Sequence, residues 1–558
     1  MEEYGNVKAM IDVMNASGVE HVFFNPGIDN VPVLETLSAL RARGEPAPRG
    51  ILCLDEFVAM TAAHGNWMAS GRPQAVSVHS ELGVLQLGGS LHNAQWGRVP
   101  VVFFTETQGP PQRTDWCGDT FDQGKMVRNF IKWDHCLAPG EDIYGVFQEA
   151  FRIASTEPCG PVYLNLPREV LWSRGSAQKG KSPSGTKSAP VPRPEPAVLE
   201  TSAAMLVAAK NPIIVTGYTG RNPATVPALV KLAETVAAPV LTSDFRVNIP
   251  NTHPLAFLAS PSAGRGQSAL ASADVILAID YDMHYAAPPG GPAPEAKIIH
   301  IDIDTAKRGV PLWGRKPDIL IRADSAVAVP SLTAKIEAKL TPDKRRELKE
   351  RYTRLESEHN HREVEWHDLA ESHADYSPIT AHWLSRCLDE VIEEDTVIVN
   401  QTISPSFIVA HLVHRTKPGT LLSCAGGCIG WAPGAALGVK LARPESTVVS
   451  LMGDGAFIYG CPEASLWSAG FYKAPFLAVI YDNQGYGAIK GLFREKHDVD
   501  NMGADIPTPP DYATIAQACH AYGRRVEDPG EVVEALEEAL DEVRGGRPAV
   551  LDVRIEPV

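Results

Sequence analysis

The sequence predicts an α/β protein built from three doubly wound domains, each around a parallel sheet. Three observations predict it. At 558 residues the chain holds three to four domains of about 150 residues each. Its strand-length apolar runs are mostly continuous, the pattern of strands covered on both faces, and they alternate with longer Ala/Leu-rich helical lengths. Two stretches without apolar periodicity divide it into blocks of ordinary domain size.

Taken in order, the first block (1–172) carries the strand-like runs Ala75-Val78, Val101-Phe104 and Val162-Leu166. The stretch Ser173 to Pro196, rich in Ser, Gly, Lys and Pro, reads as a linker. The second block (197–340) repeats the pattern with Ile213-Thr216, Val275-Ile279 and Ile298-Ile301. From Thr341-Pro342 to about His367 the chain is dense in Lys, Arg, Glu and His, and Pro after Thr predicts the start of a solvent-facing helix. The third block (368–558) holds Val397-Val399, Val448-Leu451 and Phe476-Ile480. In such sheets ligands sit beyond the carboxyl ends of the strands, so chemistry is sought in those loops.

Composition narrows the function. Hydrophobic residues at 44% and charged residues at 21% are ordinary for a globular enzyme. A net charge of −16 with no basic face makes nucleic acid and anionic membrane poor partners. No apolar stretch approaches the roughly 20 residues of a membrane span, and Met1-Glu2-Glu3-Tyr4 lacks the basic start of an export signal. The expectation is a cytoplasmic protein. Nine cysteines, an odd and sparse set for this length, predict free thiols; Cys424 and Cys428 form the one close pair and lack the partners of a zinc site.

The most specific pattern is Gly453-Asp454-Gly455 directly after one apolar strand and Asn483-Gln484-Gly485 directly after another. Each strand thus ends in a glycine-bearing turn that offers an oxygen ligand. Carboxylate, amide oxygen and a backbone carbonyl, completed by phosphate oxygens, make the octahedral shell magnesium requires. Glycines beside Asp454 let the main chain approach a diphosphate and present N–H groups to it. This pair of motifs resembles the thiamine-diphosphate-dependent 2-oxo-acid decarboxylase and acetohydroxyacid synthase superfamily, with a slightly longer interval that places extra residues near Cys461-Pro462 and Phe471-Lys473. Gly18 to Gly27, Gly160 to Pro167, Ile213-Gly217 and Lys297-Asp304 are similar to the same superfamily.

The resemblance implies a pyrimidine-binding first domain, a central domain and a diphosphate-binding third domain. It implies thiamine diphosphate and Mg²⁺ as cofactors, with Asp454, Asn483 and Gly485 as metal ligands and Gly453, Gly455 and Tyr459 at the diphosphate. Glu56 stands where the family donates a carboxylate to the aminopyrimidine; a carboxylate beside that ring nitrogen favours the imino form that accepts a proton. In Gly426 to Trp431, Gly427 and Ile429 fall where the family places its cofactor-bending segment. A homodimer or homotetramer follows, because in this family the first and third domains meet across a dimer interface.

Within the superfamily the motifs are most similar to benzoylformate decarboxylase. His79, at a strand end, matches a histidine that works on the substrate, and an imidazole near neutrality suits proton relay. Gln108 resembles a polar loop residue of the site, while Ala488, Ile489 and Leu492 match an apolar substrate pocket. Ile28 replaces a serine that holds the substrate carboxylate, and isoleucine donates no hydrogen bond. His284 lies near, but out of register with, a second substrate histidine. The resemblance implies a lyase that decarboxylates an apolar 2-oxo acid to an aldehyde. Its alternative is a carboligating transferase or hydroxyacyl lyase, acetolactate-synthase-like or benzaldehyde-lyase-like, taking an aldehyde acceptor, and Ile28 adds weight to it. A flavin-linked oxidase would need a flavin site in the second block, where Gly217-Tyr218-Thr219-Gly220 is the sole weak match.

Overall fold

The computed structural model describes residues 4–107, 122–138, 140–174, 191–242, 246–258, 264–282, 291–306, 316–496 and 503–557. Gln108 and His284 lie outside the described residues, as does most of the Ser173–Pro196 stretch.

Three six-stranded sheets, parallel at every pairing, form the frame. The first contains β1 (His21–Asn25), β2 (Arg49–Leu52), β3 (Gln74–Val78), β4 (Val101–Thr107), β5 (Trp133–Cys136) and β6 (Val162–Pro167), in the order β2-β1-β3-β4-β6-β5. The second contains β7 (Pro212–Thr216), β8 (Val240–Thr242), β9 (Ala256–Leu258), β10 (Val275–Ile279), β11 (Lys297–Asp302) and β12 (Ile319–Arg322), in the order β12-β11-β10-β7-β8-β9. The third contains β13 (Val397–Gln401), β14 (Leu421–Ser423), β15 (Val448–Gly453), β16 (Leu477–Asp482), β17 (Tyr522–Val526) and β18 (Ala549–Arg554), in the order β14-β13-β15-β16-β18-β17. The first and third sheets therefore share one topology. Every residue of β3, β4 and β16 is buried, which is why these strands read as mostly apolar, with buried polar residues such as Gln74, Glu106 and Asp482 towards their ends.

The first and third domains pack on each other within this one chain. The helix Glu56–Ser70, which follows β2, lies against the helix Trp431–Ala442, which follows β14. Glycines let their backbones touch: a Cβ at Gly438 would stand 1.9 Å from the Ala62 carbonyl oxygen, and one at Gly65 2.1 Å from that of Ala435. A single apolar core, with Val58, Ala62 and Val78 on one side and Trp431, Ala435 and Met452 on the other, runs through both domains.

The charged stretch after the second sheet is a helix, Pro342–Ser372, whose first turn is capped by the Thr341 hydroxyl accepting from the Lys344 N–H. In the second domain the Gly217–Gly220 loop is engaged by its neighbours. The Gly220 N–H donates to Asn248, the Tyr218 hydroxyl donates to the Trp96 carbonyl, and the Arg98 guanidinium lies 4.3 Å from the centre of the Tyr218 ring. Among the described residues no helix is long and apolar enough to cross a membrane.

Candidate active site

β15 and β16 are adjacent, with Gly453 opposite Tyr481, so the turns that follow them meet. Asp454 opens a short helix, Asp454–Tyr459, and its carboxylate accepts the N–H groups of Gly455 and Gly485, both at 2.8 Å. The second of these bonds holds the Asn483-Gln484-Gly485 turn against Asp454. Gly485 has φ +154°, and a Cβ there would stand 2.3 Å from the Ala504 carbonyl oxygen, so only glycine fits. At Gly453 a Cβ would meet nothing within 4 Å, which leaves open space in front of the two turns.

Asp454 is 1% and Asn483 7% exposed. Burial, reinforced by the neighbouring Asp482, pushes the Asp454 carboxyl up to about 7. Asp482 is itself buried and accepts from Arg554 at 2.9 Å. A buried acid held away from ionising beside a second acid is the environment a bound cation relieves. The donors present, carboxylate, amide oxygen and main-chain carbonyl, are hard oxygen ligands of the kind magnesium takes. No cluster of three or more His, Cys, Asp or Glu side chains able to hold a metal occurs among the described residues. The shell would thus be completed by oxygens from a ligand. The extra residues of this interval sit at breaks: Cys461 (φ 49°) and Lys473 (φ 56°) flank the helix Pro462–Phe471.

The first domain sets Glu56 at the start of a helix near the end of the Asp454–Tyr459 helix. Asp55 caps the helix by accepting from the N–H groups of Phe57 and Val58, so Glu56 is its first residue and the cap is not. The Glu56 side chain, 8% exposed, accepts from the Asn25 amide at 3.0 Å. The next residue, Phe57, meets the ring of Tyr459 edge-on at 5.7 Å. Glu56 therefore begins its helix beside the one that Asp454 opens. Tyr459 itself is half exposed, and its hydroxyl lies 3.8 Å from the Cys428 sulfur.

Between them runs the segment Gly426–Gly430, fixed from both domains. Asn93 receives the Cys428 N–H (3.0 Å) and donates to its carbonyl (2.8 Å), and Gln401 donates to that carbonyl as well (3.0 Å). This clamp sets Ile429, which packs on the shared core, and Gly427, where a Cβ would have open space. Asn93 and Gln401 carry no motif; a buried amide inside a helix was the available signal for Asn93. Cys424 and Cys428 are free thiols, as are all the described cysteines.

His79 directly follows β3 and immediately precedes the helix Ser80–Trp96; its ring is paired with Asp29, a residue sequence reading passed over. Ile28 is 76% exposed, on the turn Ile28–Asn30. Ala488, Ile489 and Leu492 lie on the exposed side of the helix Gly487–Lys496, so the described residues supply one apolar wall without closing a pocket over it.

The structure thus sets an acid at the head of a first-domain helix and an oxygen-rich cradle at the strand ends of a third domain of the same strand order. Three family models match this chain: the thiamine pyrophosphate enzyme N-terminal TPP binding domain over residues 6–126, the central domain over 199–331 and the C-terminal TPP binding domain over 404–553. The chain belongs to the thiamine pyrophosphate enzyme family and is an enzyme of its decarboxylase and acetolactate synthase group. It is 26% identical to benzoylformate decarboxylase of Pseudomonas aeruginosa, over 99% of this chain and 98% of that protein. It is 27% identical to a probable acetolactate synthase large subunit of Methanocaldococcus jannaschii, over 99% and 92%. Among solved structures, the 4-hydroxybenzoylformate decarboxylase of Rhodococcus jostii RHA1 shares the fold with a TM-score of 0.83 at 21% identity, over 99% of both chains.

Proposed function

We propose that this enzyme decarboxylates a 2-oxo acid with an apolar side chain, using thiamine diphosphate and Mg²⁺. The observation that carries the reading is the bond from the Gly485 N–H to Asp454, which joins the two strand-end turns, while the Glu56 helix start lies beside the end of the Asp454 helix through Phe57 and Tyr459. Asp454, the Asn483 amide oxygen and the Gly485 carbonyl would hold the metal and, through it, the diphosphate. Gly453 leaves room for it, the bare Cα of Gly455 clears the Tyr486 ring, and the Tyr459 ring would stand at the edge. When bound, the cofactor supplies the electron sink for cleavage of a carbon–carbon bond beside a carbonyl.

The protein's own groups do the rest. Glu56, shielded from water and aimed by Asn25, holds a proton at the pyrimidine end. His79 delivers a proton to the product side, and the apolar face of Ala488, Ile489 and Leu492 receives the substrate's side chain. Support comes from the likeness to benzoylformate decarboxylase along nearly the whole chain.

The carboligating or hydroxyacyl-lyase reading is favoured by Ile28, which leaves its turn without a hydroxyl for a carboxylate. Incubation with thiamine diphosphate, Mg²⁺ and a panel of aromatic and branched 2-oxo acids, with and without an aldehyde, separates the two. Aldehyde as the main product supports decarboxylation; hydroxyketone exceeding aldehyde supports carboligation; no turnover of any donor refutes both. We further propose a cytoplasmic homodimer or homotetramer, supported by the free thiols and the family resemblance.

A further inference from the structure

We propose that Asp29 is the positioning residue of His79: it holds the Nδ1–H of the imidazole so that Nε2 is the nitrogen that exchanges protons with the substrate. The inference deepens the reading of His79 above and rests on it. β1 and β3 are adjacent parallel strands, with Asn25 opposite Val78, so the turns after them stand side by side at the carboxyl edge of the first sheet. Asp29 comes from one turn and His79 from the other. Their side chains meet at 2.6 Å, from Asp29 Oδ1 to His79 Nδ1.

The two partners differ in burial. The Asp29 side chain is 4% exposed and that of His79 40%, so the acid lies behind the ring and the ring faces outward. The other Asp29 oxygen accepts the Ser80 N–H at 3.0 Å. With one oxygen on a backbone donor and the other on the ring, the carboxylate can only accept, which assigns the hydrogen to Nδ1. An imidazole whose Nδ1–H is bound this way presents a fixed Nε2, and the carboxylate stabilises the imidazolium when Nε2 is protonated.

The surrounding turn is built to keep this arrangement. Asn30 accepts the Gly27 N–H at 2.8 Å and donates to the Ser77 hydroxyl at 2.9 Å. A Cβ on Gly27 would stand 2.0 Å from His79 Nδ1 and 2.5 Å from Asp29 Oδ1, so the ring sits where any other residue would put its side chain. The other ionisable groups around this edge are Glu106 on β4, whose carboxyl feels Asp29 and is bound by Arg168, Glu56 across Gly83, and Glu81 on the helix His79 precedes.

The test uses the full-length holoenzyme and its Asp29→Asn variant. The substitution turns one of the two carboxylate oxygens into an amide donor, which then faces either the Ser80 N–H or Nδ1–H, so the pairing cannot be kept whole. In ¹⁵N-histidine-labelled protein, the wild type is expected to show one strongly downfield Nδ1–H resonance that disappears in Asp29→Asn and in His79→Gln. Turnover in Asp29→Asn is expected to fall by about 10²-fold or more, against about 10⁴ for the equivalent change in a Ser-His-Asp triad. KM should change little, and the pH profile of kcat/KM should shift on the limb that His79 governs. In a His79→Ala background, Asp29→Asn should cost nothing further.

A wild-type spectrum without that resonance overturns the proposal, as does an unshifted pH profile. So does an equal loss in the His79→Ala background, which would mark Asp29 as merely structural. If Asp29→Asn fails to fold, Gly27→Ala, whose Cβ would push both the ring and Asp29 Oδ1 out of their contact while keeping both side chains, must abolish the same resonance. Absence of turnover by the wild type with every donor refutes the functional reading, while the resonance still decides the pairing.

Discussion

Replacing Gly438 by alanine tests whether the two domains close on each other as tightly as the structure shows. The new Cβ would stand 1.9 Å from the Ala62 carbonyl oxygen and 2.8 Å from the Asn66 nitrogen, both backbone atoms that cannot swing aside. Ordinary contact begins at 3.4 Å, so the helices Glu56–Ser70 and Trp431–Ala442 must part by about 1.5 Å. Overpacking of this kind costs about 1–3 kcal/mol. Separation also stretches the bond from the Asn66 amide to the Gly438 carbonyl, now 3.1 Å and worth about 1 kcal/mol. Against this, alanine favours a helix over glycine by about 0.5–1 kcal/mol. The net expectation is about 2–3 kcal/mol of lost stability, read from urea unfolding. Because the same two helices carry Glu56 and follow Ile429, turnover should fall by about 10²-fold, the cost of displacing a reacting geometry by about 1 Å. Gly491→Ala is the control, since a Cβ there meets nothing within 4 Å; inside the helix Gly487–Lys496 it should gain about 0.5–1 kcal/mol from helix preference alone. If Gly438→Ala unfolds and turns over like the wild type, the helices do not touch in solution and the two-domain site falls with them.

Glu56→Gln keeps the shape of the side chain but removes its charge, so thiamine diphosphate should still bind while kcat drops about 10²- to 10⁴-fold; steady-state kinetics and a fluorescence titration check the two halves separately. Asp454→Ala should abolish Mg²⁺-dependent retention of thiamine diphosphate on gel filtration, and full retention would show that the cradle is not the metal site. His414 gives a pH dependence: the hydrogen bonds its ring donates to Asp389 and Glu363 raise it from 6.5 to about 9. The stabilisation this supplies is fully present below pH 6.5 and is lost as pH rises through about 9. Wild-type thermal midpoints should therefore decline across that window more steeply than those of His414→Gln; equal slopes would mean the histidine is unpaired in solution.

The sheets were legible because burial on both faces leaves strands apolar from end to end, and the ends of those strands were read too short for the same reason. β4 continues past Phe104 to Thr107 through Glu106, and β16 past Ile480 to Asp482. Apolarity stops at the first polar residue, whereas the strand continues wherever that residue is buried and bound. Glu106 is bound by Arg168 and Trp172, and Asp482 by Arg554. Asp454 and Asn483 were readable because each follows an apolar strand in a glycine turn. Asn93, Gln401 and Asp29 were not, since their meaning lies in partners fixed by the fold. Asn93 meets Cys428 across 335 positions of sequence, and Asp29 meets His79 across 50. The packing of the first domain on the third within this chain is likewise a matter of tertiary structure, made by helices that carry no shared motif.

The shared topology of the first and third sheets explains why the site lies where it does. β1, β2 and β3 correspond in order to β13, β14 and β15. The loop after β2 leads to Glu56 and the loop after β14 to Gly427 and Ile429, so the acid and the hydrophobic segment occupy equivalent positions in two like folds. The residues after β3 and β15 are likewise equivalent, and they are His79 on one side and Gly453-Asp454 on the other. Two copies of one architecture thus present the same pair of strand-end loops, and their following helices meet through glycines on both partners, Gly65 from one and Gly434 and Gly438 from the other. The halves differ in chemistry alone. On the first, an acid from the loop after β1 pairs with an imidazole; on the third, an acid directly after β15 holds the turn after β16. An asymmetric ligand with a heterocycle at one end and a diphosphate at the other needs that division of labour, and near-identical frames facing each other supply it without two different folds.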